Sequence, residues 1–380
     1  MALFLFWFSV FMVFYVYIGY PVAVMLLSVV LNRKVSKRAL EPSVTILIAA
    51  YNEAQHIQQT VQNKLDLDYP EDKLEIIVIS DESTDGTDDL VKGFNAENVR
   101  LIRQEPRAGK TSALNMAVPH AKGDILVFSD ANSIYDPFAL RALVANFADQ
   151  TAGYATGKMD YTLPDGSLVG DGCSTYMKYE NLLRTIETRC GSVVGVDGGI
   201  DAVRKRLYQS MNADQLPDFV LPLKVIEKGY RVVYEPGAVL KEASLKSASD
   251  EYRMRVRVSL RAMWALFDMR QMLSVRRFGL FAFQLWSHKV LRYLCFIFLL
   301  GAYGLNWQVL DRGGFYIWLL GLQTIAYCGA VAFPLAPSDR WFTPLLHIFH
   351  YFMLINIACS HAFVKFAMGK KQVVWAPRKG

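Results

Sequence analysis

Three polar clusters, each closing an apolar run, hold residue types that could do chemistry. Tyr51-Asn52-Glu53 follows Val44-Thr45-Ile46-Leu47-Ile48-Ala49-Ala50. Asp81-Glu82-Ser83 follows the run from Leu74 to Ile79, and Ser129-Asp130-Ala131-Asn132 follows Ile125-Leu126-Val127-Phe128. A carboxylate at a strand end, such as Asp81, can accept hydrogen bonds from a base or a ribose. Asp130 and Asn132, separated by one residue, can face one cavity and offer hard oxygen ligands to Mg²⁺ or Mn²⁺. Their structural alternative is a turn cap ahead of a helix over 137–147. Lys110, in Gly109-Lys110-Thr111, is a partner for phosphate.

The chain has no GxGxxG, and Gly109-Lys110-Thr111 lacks the upstream glycine of a P-loop. Phosphate charge therefore has to be met by a metal ion and basic groups rather than by a glycine-rich loop.

The elements that position these clusters follow from the spacing. Short apolar runs at 44–50, 74–79, 99–103 and 125–128 read as strands buried on both faces. Helical stretches fall between them: through about Leu65, from Asp88, and over 111–118. This βαβαβ order predicts an α/β domain with a Rossmann-like, mostly parallel open sheet. In such sheets ligands bind beyond the carboxyl ends of the strands, so the three clusters should converge on one edge.

The chain has 380 residues, a hydrophobic fraction of 53% and a charged fraction of 20%. That apolar surplus calls for membrane segments. Leu3 to Leu31 carries no charge and exceeds the roughly 20 residues that cross a bilayer. Its length, the lack of a basic segment before it, and Arg33, Lys34, Lys37 and Arg38 after it favour an anchor over a cleaved signal. Val290–Leu305, Phe315–Phe333 and Phe342–Phe366 are further candidate spans. The net charge of +6 gathers at the borders of these segments, as topogenic charge does, and implies no nucleic-acid partner. Five scattered cysteines, without CxxC or zinc spacing, read as core thiols.

The stretches VTILIAAYNEA, IIVISDESTDGT, GKTSALN, ILVFSDANS and PDFVLPLKVIEKGYRVVYEP resemble, in order, family 2 glycosyltransferases of the GT-A fold. The resemblance is to the membrane branch of hyaluronan, chitin-oligosaccharide and cellulose synthases. It implies a nucleotide site made by Ala50, Tyr51, Glu53, Asp81 and Lys110, with Tyr51, Glu53 and Asp81 around uracil and ribose. It makes Asp130 the first acid of a metal-binding D-x-D, with Asn132 in place of the second. Asp218, in Leu216-Pro217-Asp218-Phe219, matches the catalytic base and could also cap the following helix. Gly195-Val196-Asp197-Gly198-Gly199 resembles an acceptor-side segment, and donor-sugar selection falls near 191–199 and 160–170.

The chain departs from that branch at its Q-x-x-R-W signature. Arg257 matches the diphosphate-binding Arg, but Met254 and Val258 stand where Gln and Trp are expected. The alternative reading of Arg253, Arg255, Arg257 and Arg261 is an amphipathic helix whose arginines snorkel to lipid headgroups. Val374-Trp375-Ala376-Pro377-Arg378 resembles an element that closes over the active site, adding Trp375 and Arg378 to the nucleotide site. This closure needs a cytosolic C-terminus, which three crossings after a cytosolic domain would not give.

These readings divide the chain into an N-terminal membrane helix (1–32), a GT-A domain (41–250), amphipathic interfacial helices (251–286), membrane helices (287–368) and a cytosolic tail (369–380). They imply a multi-pass protein of the plasma (inner) membrane with its catalytic domain in the cytosol. The function implied is an inverting transferase that moves sugar from a UDP-sugar to a growing polysaccharide coupled to export. A transferase adding one sugar to a lipid acceptor is the alternative, and a non-catalytic membrane partner the third. Trp307, His347, His350, Asn356 and His361 inside candidate spans suit either a translocation path or helix–helix hydrogen bonds.

Overall fold

Four strands form as the apolar runs dictate: β1 (Val44–Ala50), β2 (Leu74–Asp81), β3 (Val99–Gln104) and β4 (Ile125–Asp130). The computed structural model describes residues 1–162, 172–243, 248–333 and 343–372. All seven residues of β1 are buried. Its side chains alternate with period two: Val44, Ile46, Ile48 and Ala50 pack towards helices Ile57–Leu65 and Ala139–Ala145, while Leu47 and Ala49 pack towards Lys110–Ala117 and Pro217–Glu227.

Strands β2 and β4 run two residues beyond their apolar stretches. Ser80 and Asp81 still pair with Arg103 and Gln104 of β3, and Ser129 and Asp130 with Ile48 and Ala49 of β1. Backbone pairing continues where side-chain polarity suggested a stop, and so Asp81 and Asp130 are held rigidly at strand ends rather than on mobile turns.

Four more strands, β5 (Ile134–Tyr135), β6 (Ala152–Thr162), β7 (Ile200–Arg204) and β8 (Arg231–Ala243), complete the order β3-β2-β1-β4-β7-β6-β8-β5. The first four are mutually parallel; β7 joins β4 antiparallel, and the remainder is mixed. The strand order reverses between β1 and β4, which opens a crevice beyond their carboxyl ends.

Among the described residues, three helices are long and apolar enough to cross a membrane: Ala2–Leu31, Gly314–Ala332 and Leu345–Ala367. The expected span Val290–Leu305 is not one helix. Val275–Tyr293 and Cys295–Arg312 meet at a 56° bend beside Leu294, and together would count as a fourth. Helix Ala248–Asp268 packs Val256, Leu260 and Met263 against Ala358 and Ala362 of the last helix. Polar groups of the last apolar helix bridge neighbouring elements: His361 Nδ1 lies 2.9 Å from the Tyr252 hydroxyl, and His350 Nδ1 donates to the Ala330 carbonyl at 2.8 Å. Cys190, Cys295 and Cys359 are buried thiols as expected; Cys328 is exposed, on the outer face of Gly314–Ala332.

Candidate active site

A cavity of about 370 Å³ occupies the β1/β4 crevice. Glu53, Lys110, Asp130, Asn132 and Asp218 line its polar end, and Arg257 and Arg261 reach in from helix Ala248–Asp268. They come from the ends of β1 and β4 and from helices Lys110–Ala117, Pro217–Glu227 and Ala248–Asp268, and the switch in strand order is what brings them together.

Lys110 is the centre of the charge arrangement. Its Nζ donates to Asp130 Oδ1 at 2.6 Å and lies 3.8 Å from Asp218 Oδ1. Burial alone would lower its pKa, but the Asp130 and Asp218 carboxylates outweigh it and hold the ammonium charged. Asp218 is pushed up by burial and by Asp130, against the opposing pull of Lys110. A base with a raised pKa takes a proton more readily near neutral pH.

Asp218 is not a helix cap. Leu216 occupies the N-cap position of Pro217–Glu227 and Pro217 its first turn, so the Asp218 carboxylate is free to face the cavity. Asp130 and Asn132 do not cap the helix over 139–145 either, since Phe138 holds that position. Asn132 instead donates to Glu242 of β8 at 3.4 Å.

The segment Gly195–Gly199 packs against Asp218. Gly198 has φ +85°, a conformation that favours glycine, and its amide donates to Asp201 Oδ2 at 2.9 Å. A Cβ at 198 would stand 2.6 Å from Asp218 Oδ2. Asp201 is buried; burial, then Asp218 and Asp197, lift its pKa to about 7. Asp197 pairs with Arg184 at 2.7 Å.

Asp81 lies outside the main cavity and is fully buried. It accepts from the amides of Ala108 (2.9 Å) and Gly109 (3.0 Å), and from the Gln104 carboxamide. Gly109 reaches it with φ +89°. The Arg107 guanidinium lies 3.4 Å over the Tyr51 ring and its Nε is 3.7 Å from Asp81. Asp81 thus fixes the loop that presents Lys110, with Tyr51 and Arg107 beside it. The side chain of Ala50 points into the opposite core, and Ala49 lines the cavity instead. Asn52 (φ +53°) knits the 51–53 turn to 83–87 by accepting from the Thr84 amide at 2.8 Å.

The snorkelling alternative for the arginines of 253–261 fits Arg253 alone. Arg255 pairs with Glu251 at 2.8 Å, Arg261 donates to the Gln215 carbonyl at 2.5 Å, and Arg257 faces the cavity, where the charges of Asp130 and Asp218 act on it. Arg184, Arg261 and Asp201 went unassigned as site residues from the sequence; the four-residue step from Arg257 to Arg261, one helical turn, was the available signal for the second of them. Trp375, Arg378 and most of the 160–170 segment lie outside the described residues. The last described stretch does sit by the catalytic domain: Trp264 Nε1 donates to the Lys370 carbonyl at 2.8 Å, and Lys371 pairs with Asp214 at 2.5 Å.

Comparisons with known proteins bear on the family likeness and the fold. Residues 45–192 match the family described as Glycosyl transferase family 2. The chain is 28% identical over 231 residues to the probable glycosyltransferase YdaM of Bacillus subtilis (strain 168), covering 57% of this chain and 54% of the relative. It is 28% identical over 272 residues to the poly-beta-1,6-N-acetyl-D-glucosamine synthase of Staphylococcus aureus (strain COL), covering 66% and 64%. The match thus spans between half and two thirds of these curated relatives. Among solved structures, the mannosyltransferase PcManGT from Pyrobaculum calidifontis, in complex with GDP-Man and Mn²⁺, superposes with a TM-score of 0.73 at 23% identity, over 96% of this chain and 99% of that one. Over residues 45–192 the chain is thus similar to family 2 glycosyltransferases, and its fold is the GT-A fold.

Proposed function

We propose that the protein is an inverting membrane glycosyltransferase that moves a sugar from a UDP-sugar to a growing saccharide, with Asp218 as the base. The observation that carries this reading is the Asp218 carboxylate in the cavity wall, 3.8 Å from the ammonium that also holds Asp130. An acceptor hydroxyl gives its proton to Asp218 as its oxygen bonds to the anomeric carbon. The bond from that carbon to the diphosphate breaks, and its electron pair leaves with the nucleotide. One displacement with one base inverts the anomeric centre; retention by double displacement would need a nucleophilic carboxylate.

Asp130 and Asn132 suit a divalent ion, Mg²⁺ or Mn²⁺. Both line the cavity, and Mg²⁺ is commonly held by one or two carboxylates with phosphates and water. Among the described residues no three His, Cys, Asp or Glu side chains form a metal cluster, so such an ion would draw its remaining ligands from the diphosphate. When bound, the ion would neutralise charge on the departing diphosphate. Lys110 and Arg257 supply further positive charge on the same side.

The polysaccharide acceptor is supported by the relative named as a poly-beta-1,6-N-acetyl-D-glucosamine synthase. Export and a plasma-membrane location are supported by the apolar helices: Ile355 and Cys359 of the last one line the catalytic cavity. The test is Asp218→Asn in purified protein with radiolabelled UDP-sugars and Mg²⁺ or Mn²⁺. Transfer should disappear while UDP binding stays near normal; transfer that persists would remove Asp218 from its role. Product size separates a polymer from a single glycolipid.

A further inference from the structure

Lys64, in helix Ile57–Leu65, is fully buried. Burial pulls its pKa well below that of an exposed lysine, and among the described residues no carboxylate pairs with it. Its Nζ donates to the Ser133 carbonyl at 2.6 Å and to Asn63 Oδ1 at 3.0 Å, and lies 3.5 Å from the centre of the Tyr135 ring. An interior lysine without an acid is costly, and a methionine would fill the same space without that cost. Packing gives no reason for a lysine here; its contacts do.

Those contacts converge on the turn that follows β4. Thr60, one helical turn before Lys64, is also fully buried and donates to the Ala131 carbonyl at 2.7 Å. Asn63 donates to the Tyr135 carbonyl at 2.9 Å and accepts from the Tyr135 amide at 2.8 Å. The carbonyls on either side of Asn132 are thus both held by this helix, while Asn132 itself lines the cavity. The Asn132 carboxamide nitrogen is the atom that meets Glu242, so its oxygen is the atom that remains for a cation.

We propose, on the footing that Asn132 is a ligand of the divalent ion, that Lys64 and Thr60 are positioning residues for it. Their bonds to the carbonyls at 131 and 133 set where the carboxamide oxygen stands, and through it the affinity for Mn²⁺ or Mg²⁺. A carboxylate has two equivalent oxygens and tolerates rotation. A carboxamide has one, and a half-turn would present a nitrogen donor to the ion. The backbone on either side of Asn132 therefore has to be fixed from outside the cavity. Asp130 needs no such clamp, because pairing with Ala49 of β1 already holds it.

The test measures the Kd for Mn²⁺ by calorimetry on the full-length protein in detergent, with saturating UDP present, and Tm alongside. Lys64→Met should raise that Kd by about 10- to 100-fold, the scale expected when a group that orients a metal ligand is removed. Thr60→Val, close to the native shape, should raise it several-fold, and carries the test if Lys64→Met does not fold. Combined with Asn132→Ala, either substitution should add little to the loss from Asn132→Ala alone, because residues acting through one group are not additive. A wild-type Kd in either folded variant, whatever its Tm, or losses that add in full to that of Asn132→Ala, would overturn the inference and leave Asn132 in the metal site. Asn132→Ala protein that binds Mn²⁺ as wild type does would overturn the reading of Asn132 as a ligand, and this one with it.

Discussion

Gly198 and Asp218 meet through an absent side chain: a Cβ at position 198 would stand 2.6 Å from Asp218 Oδ2, on a backbone at φ +85°. The Asp218 carboxylate has its position because residue 198 has no Cβ. Gly198→Ala must displace the carboxylate and strain the backbone, at a cost of about 1–3 kcal/mol. Displacements on the ångström scale near the chemistry can cost about 10²-fold in rate. We expect kcat for transfer to fall by that order with the Kd for UDP nearly unchanged. Equal losses in both would mean that the 195–199 segment shapes the nucleotide site and not the base.

Lys110 has two competing partners. In the structure it occupies Asp130 Oδ1 at 2.6 Å, an oxygen that a metal ion would also need. Lys110→Met should therefore strengthen Mn²⁺ binding to the nucleotide-free protein, while weakening binding of UDP. A charge-assisted hydrogen bond contributes about 1.5–3 kcal/mol, so each change should approach tenfold or more, in opposite directions. Calorimetric titration of Mn²⁺ and of UDP separately reads both. Weakening of both would show that Lys110 and the metal do not compete.

Asp201 gives a pH dependence of definite sign. Its pKa is lifted from 3.8 to about 7, chiefly by burial and then by Asp218 and Asp197. The folded protein therefore keeps a proton that the unfolded chain releases across that window. Its contribution to stability is largest near pH 4 and declines as pH rises towards 7. Asp201→Asn should flatten this part of the stability profile and raise Tm relative to wild type at pH 8. It should also remove an ionisation near neutrality from the pH–rate profile, since the Asp201 charge acts on Asp218. Thermal unfolding at pH 5 and pH 8 is sufficient to check it; a Tm difference between wild type and variant that is the same at both would exclude the linkage.

The parallel half of the sheet was legible because strands buried on both faces leave continuous apolar runs, and β1 came out with the bounds its sequence suggests. The mixed half was not. β5 is two residues long, and β7 reads Ile-Asp-Ala-Val-Arg, with the buried Asp201 interrupting any apolar pattern. Asp130, Lys110 and Asp218 could be named from motifs. Their meeting in one cavity depends on the β1/β4 switch, which local pattern does not reveal. Arg107 over Tyr51 and Lys289 beside Gly195 are long-range contacts with no periodic signature, so spacing alone could not find them.

The chain past the last helix bears on topology. Lys371 pairs with Asp214 at 2.5 Å and lies 4.8 Å from the centre of the Trp264 ring, whose Nε1 donates to the Lys370 carbonyl. The exposed ion pair is worth at most about 1 kcal/mol. What holds this end is the packing of Trp264 on Phe366, with centroids 4.7 Å apart, and of Val256 and Leu260 against Ala358 and Ala362. Position 372 should then lie on the catalytic side of the membrane, which requires an even number of crossings after the domain. In a Cys328→Ser background, with the buried thiols protected, cysteines at Gln372 and Lys92 should react with an impermeant maleimide from the same side of sealed vesicles. A cysteine at Ala2 should react from the other. Labelling of 372 together with 2 would mean that helix Thr343–Ala367 ends across the membrane from the active site, and a tail there could not close over the nucleotide.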